Sequence, residues 1–349
     1  MSRNRHFLLA VAGLLSAALA CSFFAAPTPP SDLLATLVAL TPLGASPSAP
    51  DASPSLSAGS GSVPIFATPT FDPSGGPVGK IVFTCQIFKV QASNQICIMN
   101  ADGSGYRRLT TEDGRQHYYP SPSPDGTSVV YAAFREANVY EIYELTLADG
   151  SVRQLTDRLG IENSPEISPD GSLIVFKHEP AGTEKFELWV MNRDGSDPHR
   201  IFNGTGWDPT WSPDGTQILF ASNMSGINQL HIVNADGSGV RQVSNLPALR
   251  GRSDWSPQNQ IVTYSGGSWA REVFLMNMDG SDQHQISPPG GNSQGPSFSP
   301  DGQWVAFTAY FDRFNDIHGC EIYIMRRDGS DLRRLTNNEY CDYQPRWGP

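Results

Sequence analysis

Charge and cysteine are both scarce in this chain of 349 residues, and each scarcity narrows the possible functions. Charged residues make up 17% of the chain, and acidic residues outnumber basic ones, so the formal net charge is −11. A protein of that charge repels the backbone of nucleic acids, and we expect no nucleic-acid partner. The five cysteines include no Cys-x-x-Cys pair, and no two histidines have metal-ligand spacing, so we expect no zinc site and no cofactor.

Glycine and proline, in contrast, are abundant, with 33 and 28 copies. Hydrophobic residues account for a further 39% of the chain. High turn-forming content with modest charge favours an all-β fold over a helical one.

The first 20 residues have the organisation of a signal peptide. Arg3 and Arg5 precede an uncharged apolar run from Phe7 to Ala20. Cys21 follows this run directly, as in bacterial lipoproteins, and we predict that it is lipidated and becomes the mature N-terminus. An uncleaved anchor and simple secretion are the alternatives. All three place the rest of the chain outside the cytoplasm, facing the periplasm or the cell exterior.

Residues 21–78 have the composition of a tether. They are rich in Pro, Ser, Ala and Thr and contain few aromatic or charged residues. Such a segment buries too little apolar surface to offset its own ordering entropy. We therefore predict a disordered stalk that joins the membrane anchor to a folded domain at residues 79–349.

That domain is a tandem repeat of two turn motifs. Asp-Gly-Ser follows an apolar run at intervals of 42 to 49 residues, with its aspartates at positions 102, 149, 194, 236, 279 and 328. Ser-Pro-Asp-Gly precedes an apolar run at Ser123, Ser168, Ser212 and Ser299, with a degenerate copy at Ser256. Asp-Gly supplies the left-handed backbone of a tight hairpin, so each unit is predicted to contain four short strands.

The two ends of the repeat predict that the units close into a ring. The first unit begins at Gly79 and lacks an innermost strand, whereas the chain ends in an unmatched innermost strand at Pro345 to Trp347. We predict that this C-terminal strand completes the first unit. The result is an all-β, six-bladed β-propeller with blades of ordinary size, expected to be monomeric.

The repeat resembles the TolB-like, WD40-like propeller repeat. The resemblance rests on Pro-x-Trp-Ser-Pro-Asp-Gly, then an apolar strand, then Met-Asn-x-Asp-Gly-Ser and Arg-x-Leu-Thr, and it covers residues 79–349. It implies a propeller fold and leaves a role in a Tol–Pal-like envelope system as one alternative. TolB also has an N-terminal α/β domain, and this chain has the predicted tether in its place.

Two patterns suggest catalysis but lack the context that catalysis needs. Ser293 lies in a Gly-x-Ser-x-Gly sequence, yet no helix-forming segment follows it to build a nucleophile elbow. His199 and His284 occupy the edge-strand position of the repeat, and His231 occupies a packing position. His117, His178 and His318 fall in loops, where a glycan lyase or hydrolase using loop histidines remains the enzymatic alternative.

Four cysteines remain in the predicted domain, and an even number in an exported domain favours disulfides. Three pairings are possible. We predict bonds between Cys85 and Cys97 and between Cys320 and Cys341. The second bond would secure the ring closure.

The connections from the second to the third strand, and from the fourth strand to the next unit, open on one face, here called the loop face. We predict that a protein, a peptide or an envelope polymer binds there without being chemically altered. The channel mouth is expected to be ringed by Tyr119, Ser164, Asp208, Arg252, Gly295 and Gln344. The binding residues that we predict are Tyr119, Arg135, Glu162, His178, Trp207, Asp208, Arg252, Trp269, Tyr310 and Arg313.

Overall fold

The computed structural model describes residues 75–87, 93–136, 139–157, 160–266, 270–310 and 320–349. The predicted signal peptide, Cys21 and nearly all of the predicted tether lie outside this part of the chain. The regular structure within it is β-strand throughout. The described residues include no helix that is long and apolar enough to cross a membrane.

Twenty-four strands account for this structure. The first twelve are β1 (Lys80–Gln86), β2 (Asn94–Asn100), β3 (Arg107–Arg108), β4 (His117–Pro122), β5 (Ser128–Glu136), β6 (Val139–Thr146), β7 (Val152–Gln154), β8 (Gly160–Ile167), β9 (Leu173–Pro180), β10 (Glu187–Asn192), β11 (His199–Arg200) and β12 (Trp207–Trp211). The others are β13 (Gln217–Ser222), β14 (Gln229–Asn234), β15 (Arg241–Gln242), β16 (Leu249–Trp255), β17 (Gln260–Gly266), β18 (Arg271–Asn277), β19 (His284–Gln285), β20 (Gln294–Phe298), β21 (Trp304–Ala309), β22 (Glu321–Arg326), β23 (Arg333–Arg334) and β24 (Asp342–Gly348).

The strands form a propeller arrangement of small antiparallel sheets. Four separate sheets have four strands each, in the orders β24-β1-β2-β3, β12-β13-β14-β15, β16-β17-β18-β19 and β20-β21-β22-β23. The remaining strands, β4 to β11, form one eight-stranded sheet. Within it, a parallel bridge between Tyr140 of β6 and Ile161 of β8 joins two four-stranded sets. The described strands therefore form five separate sheets, of which four are single four-stranded blades, and they do not form the six separate sheets that the repeat predicts.

The C-terminal strand lies in the first sheet, where the sequence predicts it. β24 pairs antiparallel with β1, so that Trp347 is opposite Ile81 and Arg346 is opposite Val82. The innermost strands contact one another in turn, from β24 through β4, β8, β12, β16 and β20 back to β24. The chain therefore closes its own ring.

Alternate residues of each central strand pack against different neighbouring sheets. In β1, Ile81 and Phe83 belong to a core cluster that includes Trp304 of the last sheet. Val82, which points the other way, packs in a cluster with Val129 of β5. Because both faces of the strand are covered, both faces are apolar, and the usual alternation with polar residues is lost.

The Asp-Gly-Ser turns have the hairpin geometry that their sequence predicts. Their six glycines have φ between 72° and 90°. In every turn the serine N–H donates to the aspartate Oδ1 at 2.9 Å. These aspartates therefore hold the turns. Together with the Ser-Pro-Asp-Gly turns they lie opposite the loop face, at the end of the ring that we call the hairpin face.

Candidate functional site

The innermost strands bend at the residue that precedes the repeat's proline. Positive φ values between 51° and 58° occur at Tyr119, Ser164, Asp208, Gly295 and Gln344. The pairing register shifts beside each of these residues. Four of them carry side chains, and a left-handed backbone is costly for such residues. A bend of this kind, repeated around the ring, brings the predicted mouth residues toward the channel.

Most of the predicted mouth residues bond to one another. Ser164 Oγ donates to Asp208 Oδ1 at 2.8 Å, and the Arg252 N–H donates to Asp208 Oδ2 at 3.0 Å. On the other side, the Tyr119 N–H donates to Gln344 Oε1 at 2.9 Å. The space that Tyr119, Ser164, Asp208, Arg252 and their neighbours enclose is only about 10 Å³. The mouth is a connected polar ring with no room for a ligand inside it.

Arg252 closes the channel at this level. Its side chain is buried, and Nη2 lies 3.5 Å from the carbonyl oxygens of Pro120 and Gln344. The guanidinium lies 5.5 Å from the centre of the Tyr119 ring, a cation–π distance. Burial, aided by nearby Arg346, lowers the pKa of Arg252 to about 10, so it remains charged at neutral pH. A large ligand cannot pass from the loop face into the channel.

Two of the predicted binding residues pair inside the wall of the ring. Glu162 is fully buried, and its Oε1 lies 2.9 Å from His178 Nδ1. The His178 ring packs on Trp189 at 4.9 Å between ring centres. Glu162 and His178 are therefore buried between β8 and β9. The sequence predicts them as binding residues on the loop face, but their burial leaves them little surface for a partner.

The other predicted residues are divided between the loop face and segments outside the described chain. Trp207 is half-buried and packs edge-on against Phe186 at 5.8 Å, with Lys177 Nζ 4.4 Å from the Phe186 ring centre. Tyr310 is half-buried, and its N–H donates to the Gly291 carbonyl at 2.8 Å. Trp269, Arg313 and the side chain of Arg135 lie outside the described residues.

Sequence reasoning missed an exposed apolar pair on the loop face. Met224 and Ile227, in the connection between β13 and β14, are 42% and 59% exposed. The other exposed large apolar residues in the described chain, Tyr106, Val152, Val240 and Leu332, share one repeat position beside the outermost strands. Met224 and Ile227 thus break the repeat. The available signal was the pair of apolar residues within the polar stretch Asn223-Met-Ser-Gly-Ile-Asn228.

A cavity of about 550 Å³ at the hairpin face was also missed. Its walls include Trp211, Trp255, Phe298 and Trp347, each contributed by the end of an innermost strand. The prolines of the Ser-Pro-Asp-Gly turns line it further out. The recurring aromatic in Pro-x-Trp marks the strand ends that reach the cavity, but these side chains are themselves almost fully buried in the core.

The floor of this cavity carries an ionic group in which a buried arginine pairs with two largely buried carboxylates. Arg346 Nη2 lies 3.0 Å from Glu166 Oε2, and Nη1 lies 3.3 Å from Asp254 Oδ1. Burial raises the pKa of Glu166, with Asp254 adding to the rise, while Arg346 opposes it. Burial lowers the pKa of Arg346, but Glu166 and Asp254 outweigh it, so the net shift of that pKa is upward. The remaining carboxylate oxygens accept hydrogen bonds from the neighbouring strands, so the group is tied into the ring.

The candidate catalytic side chains lie in different surroundings within the described chain. Ser293 is fully buried, and its hydroxyl has no hydrogen-bond partner in the described chain. Burial lowers the pKa of His117 to about 4, so this histidine is neutral at physiological pH. His318 lies outside the described residues. Within the ranges that are described, no group of three or more His, Cys, Asp or Glu is placed to hold a metal ion.

The cysteines of the folded domain lie in two pairs. The structure bonds Cys85 to Cys97 within the first sheet, with Cα atoms 5.8 Å apart. It bonds Cys320 to Cys341 across the ring closure, with Cα atoms 4.5 Å apart. Both separations suit a disulfide. The pairing in the protein in solution stays a prediction.

Comparison with known proteins identifies the repeat. The TolB beta propeller domain family matches residues 78–312. The Tol-Pal system protein TolB of Francisella tularensis is 27% identical over 73% of this chain and 59% of its own length. An uncharacterised peptidase of Bacillus subtilis is 24% identical over 46% of this chain and 31% of its own length. The chain thus spans less than two thirds of these relatives.

A solved structure agrees with that family match. TolB from Acinetobacter baumannii superposes with a TM-score of 0.69 at 22% identity, over 78% of this chain and 67% of that chain. At this identity the likeness concerns the fold. The family match, which covers more than half of the sequence, assigns membership: this chain belongs to the TolB β-propeller family.

Proposed function

We propose that the protein is an exported, membrane-attached propeller that binds a protein, a peptide or an envelope polymer through its loop face and performs no catalysis itself. The observation that carries this proposal is the exposed pair Met224 and Ile227. Exposed apolar side chains beside aromatic residues are favourable contacts for a partner, because binding removes them from water.

The surroundings of this pair support a docking surface. A Cβ at Gly204 would lie 2.9 Å from the Met224 sulfur, so Met224 rests on the segment that leads into β12. Trp207 begins that strand and is half-exposed. Phe186, which precedes β10 of the adjacent set of strands, supplies a second aromatic ring. Aromatic residues with apolar neighbours are typical of the energetic centre of an interface.

The first residues of the described chain lie at the hairpin face, which favours the loop face as the surface that is open to a partner. Val78 and Gly79 line the cavity at the hairpin face, so the N-terminal segment reaches the ring from that side. The described part of that segment therefore lies away from the loop face and leaves that face accessible to a partner.

We also propose that the ring counts as six blades. Support comes from the six innermost strands that contact one another in a closed circle. The eight-stranded sheet divides into two four-stranded sets linked by a single bridge at Tyr140 and Ile161. That bridge joins neighbouring blades without changing their number.

A protein partner is the favoured kind of ligand. The named relative of F. tularensis is a Tol-Pal system protein, and by family likeness we extend an envelope location and a protein partner to this chain. The match spans 59% of that relative's length, so we do not propose the same partner. The connected, filled mouth around Arg252 also supports surface docking over the capture of a small molecule in the channel.

A matched pair of variants tests the proposal. In Met224→Ser/Ile227→Ser, apolar contacts are lost from the loop face, and co-purification of an envelope partner after chemical cross-linking should fall at least tenfold, the equivalent of about 1.4 kcal/mol. Val152→Ser/Val240→Ser changes two residues of similar exposure at the starts of two outermost strands and should leave recovery unchanged. Equal recovery with both variants, or greater loss with the second, would refute docking at Met224 and Ile227.

A further inference from the structure

The connection between β11 and β12 contains an exposed asparagine that is followed directly by a glycine. Asn203 is exposed, and Gly204 is half-buried beside it. These two residues form the only Asn-Gly pair in the sequence. Asparagine side chains are chemically labile, and they are most labile where the next backbone nitrogen can reach the side-chain amide carbon. The pair is therefore a candidate site of covalent modification.

The backbone nitrogen of Gly204 is available as the attacking group. Its N–H donates no hydrogen bond within the described chain. Glycine has no side chain that would hinder the approach of the Asn203 amide. Arg200 Nη2 donates to the Gly204 carbonyl oxygen at 3.2 Å, so a positive charge lies close to this segment. A nearby positive charge favours the loss of a proton from the attacking nitrogen.

The asparagines that precede other small residues are protected by the fold. The N–H groups of Ala101, Ala235 and Ser293, which follow asparagines, each donate to a backbone carbonyl oxygen at 2.7 to 3.0 Å. A nitrogen in such a bond must lose its hydrogen bond before it can attack. Asn163, which precedes a serine, is itself buried. Exposure and a free neighbouring nitrogen thus occur together at Asn203.

We propose that Asn203 converts to aspartate and isoaspartate in the folded protein. The Gly204 nitrogen bonds to Asn203 Cγ, the Cγ–Nδ2 bond breaks, and ammonia leaves with the proton that the nitrogen gives up. A cyclic imide remains. Water then opens the imide at Cγ to give aspartate, or at the main-chain carbonyl to give isoaspartate. The steps need only water, because both reacting groups belong to adjacent residues.

Either product adds a carboxylate to the loop face. A Cβ at Gly204 would lie 2.9 Å from the Met224 sulfur, so the modified segment is the one on which Met224 rests. A charge beside this apolar contact loses water when a partner docks, which opposes binding. Conversion of Asn203 should therefore weaken docking at Met224 and Ile227. This consequence rests on the proposed function, whereas the conversion itself does not.

Peptide mapping of the full chain after prolonged incubation tests the conversion. At neutral pH and physiological temperature, mass spectrometry should find Asn203 converted to an acid in two chromatographically separable forms, with release of ammonia. Asn223 is a matched control, because it is exposed on the same face, but the N–H of the following Met224 donates to Ser222 Oγ at 3.2 Å. Asn203 should convert at least about tenfold faster than Asn223, the equivalent of about 1.4 kcal/mol in activation free energy. Equal rates, or no conversion at Asn203, would overturn the proposal.

Trapping of the intermediate gives an independent readout. Hydroxylamine attacks the imide, so the folded natural protein should be cleaved between residues 203 and 204. Asn203→Gln lengthens the side chain by one methylene group and should abolish this cleavage without changing the thermal unfolding midpoint. Conversion should also accelerate as the pH rises, because the attacking nitrogen must lose its proton. Cleavage that persists in Asn203→Gln, or a rate that does not depend on pH, would overturn the imide route.

Discussion

Arg346 of the C-terminal strand lies 3.0 Å from Glu166 of β8, although β4 stands between these two strands in the ring. The same guanidinium reaches Asp254 of β16 on the other side, beyond β20. One side chain thus ties three alternate innermost strands across the channel. The C-terminal strand, which closes the ring, therefore also supplies the cation that pairs with the carboxylates of β8 and β16.

Replacing this cation should destabilise the ring. Arg346→Met keeps much of the side-chain volume but leaves two largely buried carboxylates without their partner, and we expect a loss of about 3 kcal/mol in the free energy of unfolding. Arg115→Met removes the exposed pair with Glu112 and should cost less than about 1 kcal/mol. Urea unfolding monitored by tryptophan fluorescence compares the two. Similar losses would contradict a structural role for the buried group.

Alanine substitutions at two glycines of the Asp-Gly-Ser turns distinguish the cost of a left-handed backbone from the cost of a steric clash. Gly150 and Gly237 have φ of 72° and 84°, but only a Cβ at Gly237 would collide with the carbonyl oxygen of Ile201 in the preceding set of strands. Gly150→Ala should therefore cost about 1 kcal/mol for the left-handed backbone alone. Gly237→Ala should cost about 2 kcal/mol more because the neighbouring backbone must shift. Equal thermal unfolding midpoints for the two variants would contradict the close packing at Gly237.

Asp342 should make stability fall as the pH rises. Burial, with a contribution from Glu321, raises the pKa of Asp342 from 3.8 to about 7. The folded state therefore binds this proton more tightly than the unfolded state, and the protonated group's contribution is present below pH 4 and lost between pH 4 and pH 7. The free energy of unfolding of Asp342→Asn, measured with urea, should rise relative to that of the natural protein by roughly 2–4 kcal/mol as the pH increases from 4 to 8.

The control for this prediction is Asp331→Asn. Asp331 is an exposed carboxylate that pairs with Arg333, so its replacement should produce no such gain at high pH. A constant difference between Asp342→Asn and the natural protein across the range would contradict the proton uptake by Asp342.

The two cysteine pairs should differ in what they hold together. Cys320→Ser/Cys341→Ser opens a link of sequence separation 21 and should cost about 3 kcal/mol. It should also speed amide exchange in β24, because Cys341 precedes that strand directly. Cys85→Ser/Cys97→Ser opens a link within one sheet and should leave exchange in β24 slow. Peptide mapping without reduction checks the pairing itself, and free thiols or another pairing would contradict it.

Much of the fold could be predicted because the turns repeat. Asp-Gly fixes hairpin geometry locally, so a turn such as that at Asp102 or Asp279 marks the position of a hairpin. The strands on both sides of each hairpin are apolar, which indicates that both faces of the sheet are covered. The pairing of the C-terminal strand with the first sheet could also be predicted. The first unit, which begins at Gly79, lacks an innermost strand, and the chain ends in an unmatched innermost strand at Trp347. The bridge between Tyr140 and Ile161 could not be predicted. It depends on the distance between two neighbouring four-stranded sets, and the sequence of either set does not determine that distance.

The candidate site was harder to predict than the fold. Position in a loop suggested that Glu162 and His178 would be exposed, yet their side chains turn inward and pair with each other. Conversely, Met224 and Ile227 have no motif, and only the folded ring shows that they remain uncovered. The hairpin-face cavity depends on the diameter of the ring, which the sequence of a single repeat does not set.

Site-specific photo-cross-linking in native membranes can detect a partner on the loop face while the protein remains in place. A photoreactive residue in place of Ile227 should capture an envelope protein, whereas the same residue in place of Val152, which is similarly exposed at an outer edge, should not. Capture at Val152 alone, or at neither position while the protein remains folded, would contradict docking on the loop face.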